Sequence, residues 1–166
     1  MSGVTTRLAL PEDAADIARM LGQLADDLGD GDIFSSTAET IHQHGFGPDP
    51  MFHSVIAEKD GRSVGLALFF RHFSTTRAQP GTYVQDLWVH PETRGVNVGQ
   101  HLLTAVAKYG AVHWQASYIA LSVHVDNARA TQFYQRLGFE AHTTDRPMAL
   151  KGQAFQDLLN RGASGQ

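Results

Sequence analysis

The segment from Thr82 to Tyr109 restricts the possible folds of this chain more than any other. Thr82-Tyr-Val-Gln-Asp-Leu-Trp-Val89 is rich in β-branched and aromatic residues and reads as a strand. It passes through His90-Pro-Glu-Thr-Arg-Gly-Val-Asn97 directly into Val98, Leu102, Leu103, Val106 and Tyr109, which are spaced by three and four. That spacing predicts a helix from about Asn97 to His113 with one buried face. A strand that ends, turns through glycine and starts a buried helix belongs to a mixed α/β architecture, with helices packed on a sheet.

The remaining segments agree. Val4 to Leu10 alternates like a short strand, and Pro11 with Glu12 and Asp13 then gives a helix start. Ile17, Met20, Leu21, Leu24 and Leu28 recur at helical spacing before an acidic loop, Asp26-Asp-Leu-Gly-Asp-Gly-Asp32. A short helix from Thr37 to His44 stops at Gly45-Phe-Gly-Pro48. Phe52 to Glu58, a turn at Lys59-Asp-Gly61 and Ser63 to Phe73 read as a hairpin. Tyr118 to Val125 reads as a further strand, and Asn127 to Leu137 as a helix closed by Gly138. Phe139 to His142 and Pro147 to Leu150 are expected to finish a sheet of about seven strands, with a last helix from Gly152 to Asn160. Residues 1–160 are expected to form a single domain and 161–166 a frayed tail.

Composition narrows the chemistry. The chain has 166 residues, 42% hydrophobic and 18% charged, enough for one domain with a core. It contains no cysteine, which excludes disulfides, thiolate metal sites and a cysteine nucleophile. Its net charge of −4 and the absence of a basic run argue against a nucleic-acid partner and suit a cationic or neutral small molecule. No apolar run approaches the roughly 20 residues of a membrane helix, and a cytoplasmic location is expected. Nine histidines do not form a recognisable metal motif, and no metal is expected.

The turn between Val89 and the following helix has a possible function of its own. A helix N-terminus presents free backbone N–H groups and the positive end of the helix dipole, and so attracts anions. Arg94 offers a cation, Gly95 allows close approach of the backbone and Gly99 is small where the helix begins. The same residues also fit an ordinary glycine-punctuated strand–turn–helix.

Two blocks carry a family resemblance. Val89-x-Pro91-x-x-Arg94-Gly-x-Asn-x-Gly99 followed by Leu102-Leu103 is one. Asn127-x-x-Ala130-x-x-Phe133-Tyr134-x-x-x-Gly138-Phe139 is the other, and their order and spacing resemble the GNAT superfamily of acyl-CoA N-acyltransferases. Gly45-Phe-Gly-x-x-Pro-x-Phe-His53, Ala57-Glu58, Val64-Gly65 and Gln85-Asp-Leu-Trp-Val89 are most similar to its diamine and thialysine N-acetyltransferases. The resemblance implies a mixed sheet with a splayed pair of parallel strands, Thr82 to Val89 and Tyr118 to Val125, and a homodimer. It implies acetyl-CoA as co-substrate. The pyrophosphate would lie on Arg94, Gly95, Val96, Asn97, Val98, Gly99 and Gln100, and the pantetheine arm on the main chain of Leu87, Trp88 and Val89. Asn127 would contact the coenzyme. One departure is Asn97, where the family usually has glycine; asparagine tolerates positive φ better than other side chains.

Acetyl transfer from a thioester to an amine needs a neutral amine, an oxyanion site and a proton for the thiolate. By resemblance Tyr134 is the acid that faces the sulfur, although a tyrosine on an amphipathic helix is also ordinary core. The base is open: where diamine enzymes have glutamate this chain has Gln85, which cannot take a proton. Asp86 is the first candidate and His124 the second, with structural roles for both as alternatives. Asp26 and Asp27, with Asp30 and Asp32, fall in the segment resembling the acceptor loop, and together with Gln85 and Asp86 would bind a small cationic amine, a polyamine or a lysine-like acceptor. The acidic loop also fits plain solvation. A peptide or protein amine, or a non-catalytic coenzyme-binding module, remain alternatives.

Overall fold

The computed structural model describes residues 3–142, 144–145 and 147–161, and the chain divides into two compact units, 1–122 and 123–166. In the first unit, five strands form one sheet in the order β1-β2-β3-β4-β5: Thr5–Leu8, His53–Lys59, Arg62–Ser74, Gln79–Val89 and Ile119–Leu121. The first four pair antiparallel, and β5 pairs parallel to β4. A parallel pair needs a crossover connection. Here it is a helix, α3, Val98–Trp114; α1 is Ala14–Asp27 and α2 is Ala38–Gly45.

Helices cover both faces of the sheet. On one, Ile17, Met20 and Leu21 of α1 and Ile41 of α2 pack with Ile56, Leu66, Leu68 and Trp88. On the other, α3 lies so close to β3 that a Cβ on Gly65 would come within 2.9 Å of Val98 and 3.0 Å of Leu102. α2 begins with a reciprocal cap, in which Thr40 N donates to Thr37 Oγ1 at 3.2 Å and Thr37 N donates to Thr40 Oγ1 at 2.9 Å.

The second unit holds α4, Ala128–Arg136, and α5, Gly152–Arg161. Asn127 Oδ1 caps α4 by accepting from Ala130 N at 3.1 Å. Gly138 follows with φ 99, the left-handed close that the sequence predicts.

The fold class matches the sequence reading, but the strand count does not: among the described residues there are five strands, not about seven. The described residues of Phe139–His142 and Pro147–Leu150 form no strand and are mostly exposed. Tyr118–Val125 contracts to Ile119–Leu121. A short apolar pattern specifies a strand only where a neighbour supplies the ladder. Arg161, expected in a frayed tail, closes α5, and the rest of that tail lies outside the described residues.

Gly65 sets the distance between α3 and the sheet. Gly65→Ala should destabilise the protein by about 1–3 kcal/mol through overpacking at Val98, Leu102 and the Trp88 carbonyl, read as a lower urea midpoint at unchanged slope.

Candidate functional site

The site begins with an irregularity in β4. Leu68 stands opposite Asp86 and Phe69 opposite Val84, so Gln85 is an extra, unpaired residue, a β-bulge. Cross-strand partners share a face of the sheet. Asp86 and Trp88 therefore lie on the face covered by α1 and α2, with Leu68 and Leu66, while Leu87 lies with Ala67 on the α3 face. Gln85 is exposed. Asp86 is half-buried, and this burial raises its carboxyl from the usual 3.8 to about 6, with no charge or hydrogen bond from the described residues opposing the shift.

Beyond Val84, where pairing with β5 stops, β4 continues to Val89 with one edge open among the described residues. The ladder says which groups face that edge. His90 N donates to Val64 O at 2.8 Å, and antiparallel pairs alternate between bonded and non-bonded, so Trp88 directs its main chain into β3. Leu87 and Val89 direct theirs outward. Trp88, expected among the coenzyme contacts, thus offers neither its main chain nor its side chain, which is 3% exposed in the core.

The turn after β4 has the backbone an anion site needs. Gly95 has φ 93 and Asn97 has φ 61, ψ 24, so asparagine holds the left-handed conformation where glycine is usual. Asn97 makes no side-chain cap, and the first intrahelical bond runs from His101 N to Asn97 O. The amides of Val98, Gly99 and Gln100 therefore begin α3 without intrahelical partners. Val96 is exposed at the turn.

Arg94 is already engaged. Its Nη2 donates to Asp27 Oδ2 at 3.2 Å and its Nε donates to Val89 O at 3.3 Å. This ties the end of α1 to the turn and engages one of the two outward carbonyls. No local sequence signal could have revealed the pair, because 67 residues separate the partners. Asp27, expected at the acceptor, is thus paired with Arg94 in this structure. Asp26 and Asp32 are exposed, and Asp30 is half-buried before a 3-10 turn at Gly31–Ile33.

In the second unit, Tyr134 lies on α4 and is half-buried between Phe133 and Phe139, with ring centroids at 5.2 and 5.4 Å. Burial raises its phenol to about 12. Its carbonyl accepts from Leu137 N and Phe139 N, closing the helix. His124, expected on a strand, is exposed in the turn before α4, where its carbonyl accepts from Asn127 N at 2.9 Å.

Comparison with known proteins decides the family. Residues 22–139 match the model of the acetyltransferase (GNAT) family. The chain belongs to that family. It is 30% identical to the thialysine N-epsilon-acetyltransferase of Sus scrofa, across 97% of this chain and all of that protein. It is 32% identical to the L-ornithine N5-acetyltransferase of Arabidopsis thaliana over 69% of this chain, a match that spans 48% of that protein. Among solved structures, an integron cassette protein from V. cholerae superposes with a TM-score of 0.77 at 19% identity, covering 96% of this chain and 98% of the other. This GNAT member is an acyl-CoA-dependent N-acetyltransferase, a family whose co-substrate is acetyl-CoA. The open β4 edge and the uncapped α3 N-terminus suit an extended amide-bearing arm and a phosphate anion respectively.

The raised Asp86 pKa has a stability consequence. The folded protein holds this proton more tightly than the unfolded chain, so the contribution of Asp86 to stability falls as pH rises from about 4 to about 6 and is level above. Asp86→Asn should lose that slope and be the more stable protein above pH 6, by up to about 3 kcal/mol, in urea unfolding at pH 4.5 and 7.5.

Proposed function

We propose that this enzyme moves an acetyl group from acetyl-CoA to the primary amine of a small cationic acceptor, a polyamine or a lysine-like molecule, by direct attack in a ternary complex. The observation that carries the reading is Asp86: a half-buried carboxyl that meets no cation among the described residues, at the bulge where β4 leaves β5. The thialysine and ornithine named as substrates of the two relatives support an amine at the end of a short chain.

An alkylammonium lies about three pKa units above neutrality, a deprotonation cost of roughly 4 kcal/mol at pH 7. Asp86, acting through water, takes that proton. The freed amine attacks the thioester carbonyl carbon; the C–N bond forms, the nitrogen gives up its surplus proton to solvent water, the C–S bond breaks, and the thiolate receives its proton from Tyr134, which is refilled from solvent. Products are the acetamide and free coenzyme A. Leu87 and Val89 bind the pantetheine arm through main-chain groups, and Gly95 to Gln100 bind the pyrophosphate. Arg94 reaches it by giving up Asp27. The family match runs from residue 22 to 139 and so across both units, which supports 1–160 as one catalytic domain. A cytoplasmic homodimer completes the reading.

Gln85 favours one rival, a coenzyme-binding module without turnover, since it stands where a glutamate base is usual. Kinetics separate the two. In the enzyme, kcat should fall as pH drops through about 6, because the base must be ionised, and show no alkaline loss below pH 10, since Tyr134 stays protonated. Asp86→Asn should remove the acid limb. Tyr134→Phe should lower kcat about 100-fold or more with coenzyme A affinity unchanged by calorimetry. Thiol release from acetyl-CoA against polyamines, lysine, thialysine and short peptides reads turnover, and none with any amine, despite acetyl-CoA binding, would sustain the rival.

A further inference from the structure

β5 pairs with β4 at three positions, Thr82 with Ile119, Tyr83 with Ala120 and Val84 with Leu121. A ladder this short holds little through its main chain alone. Side chains tie it at both ends. At the start, Tyr118 lies over Gly81, where a Cβ would strike its ring, and its hydroxyl shares a hydrogen bond of 2.6 Å with Nδ1 of His72. At the end, where β5 leaves β4, the hydroxyls of Tyr83 and Ser122 share one of 2.9 Å. Ser122 follows Ala120 by two positions, so it falls on the same face as Tyr83, one residue beyond the last ladder pair. The Tyr83 ring is half-buried and already held: it stacks on Phe70 with centroids at 5.2 Å and planes at 23°, and His72 tilts against it at 6.0 Å. Little side-chain freedom is therefore lost when its hydroxyl engages the exposed Ser122.

We propose that Tyr83 is a positioning residue for the coenzyme: by holding Ser122 where the two strands part, its hydroxyl fixes the opening that admits the pantetheine arm to the main chain of Leu87 and Val89. The proposal rests on the placement of that arm in the reading above. An open strand edge is a template for any extended chain that comes near it. Without the Tyr83–Ser122 bond, the residue that follows Leu121 has two arrangements open to it, continued pairing along β4, which covers the edge, or departure from it. The bulge at Gln85 interrupts the regular ladder and disfavours the first. The bond to Tyr83 prevents the second. Between them the opening keeps one width before the coenzyme arrives, and binding the arm then requires less ordering.

Tyr83→Phe removes the hydroxyl and keeps the stack on Phe70, and Ser122→Ala removes the other half of the bond. Each should weaken coenzyme A about 3- to 10-fold by calorimetry and raise the acetyl-CoA KM alike, with kcat and acceptor KM unchanged. The double variant should lose no more than either single one. ADP, which carries the pyrophosphate without the arm, should bind all three variants as it binds wild type. Tyr118→Phe cuts the tie at the other end of β5; it should lower the urea midpoint and leave coenzyme A affinity unchanged, which separates positioning from stability. Equal losses for ADP and coenzyme A, additive losses in the double variant, or the same coenzyme loss in Tyr118→Phe would overturn the proposal. Coenzyme A that binds wild type more tightly than ADP but is indifferent to Tyr83→Phe would remove the proposal and keep the arm on β4, whereas coenzyme A no tighter than ADP in wild type would remove both. Absence of thiol release with any amine would sink the acetyl-transfer reading and leave this pattern of affinities, and the proposal, standing.

Discussion

One unpaired residue, Gln85, determines what the centre of this sheet can do. Because side chains alternate along a strand, an extra residue exchanges the faces of everything that follows it. With Gln85 bulged, Asp86 shares a face with Leu68 and Phe70, and Trp88 reaches the core beneath α1 and α2. If β4 ran on without the bulge, Gln85 would take the place of Asp86, and both Asp86 and Trp88 would face α3. The bulge also lies where the pairing of β4 with β5 stops, so the outward main-chain groups of Leu87 and Val89 follow directly after it. One backbone irregularity thus orients an ionisable side chain and precedes an open strand edge.

The turn that follows has a different constraint. Gly95 and Asn97 both sit at positive φ, and the residues between them carry β4 into α3. Asparagine at φ 61 keeps the geometry of a glycine position, so the substitution leaves the start of α3 intact. The cost falls elsewhere: a left-handed Asn97 uses no side-chain cap, and the first-turn amides remain available. Arg94 beside them is shared between Asp27 and the Val89 carbonyl. An exposed pair of this kind is worth little in stability, typically 0–1 kcal/mol, so a phosphate can displace it readily.

How much of this was legible beforehand follows from the range of each interaction. Apolar spacing gave α1 and α3, and the Lys59-Asp-Gly61 turn gave the hairpin of β2 and β3, because their signals lie within a few residues. Gly138 and Asn97 were readable for the same reason: each sits in the backbone state its residue type tolerates. The bulge was not readable, since a ladder register exists only between strands and Gln85 looks like any other position in a strand run. Nor was the link from Asp27 to Arg94. The strands expected at Phe139–His142 and Pro147–Leu150 failed in the opposite direction, because a local pattern cannot show whether a partner edge is there to receive it.

Asp86 shows why a residue of this kind stands out against its surroundings. A half-buried carboxyl opposite Leu68, with no cation beside it among the described residues, destabilises the folded protein when it is ionised. An asparagine would fill the same volume without that penalty. Nothing in the packing of the first unit requires the charge, since α1, α2 and the sheet already close around apolar side chains. A titratable group kept where it costs stability, with its proton held near physiological pH, fits the base role proposed for it. That argument also ranks the two candidate bases. His124, exposed in a turn and contributing its carbonyl to the start of α4, has neither the burial nor the strand position that makes Asp86 chemically distinct.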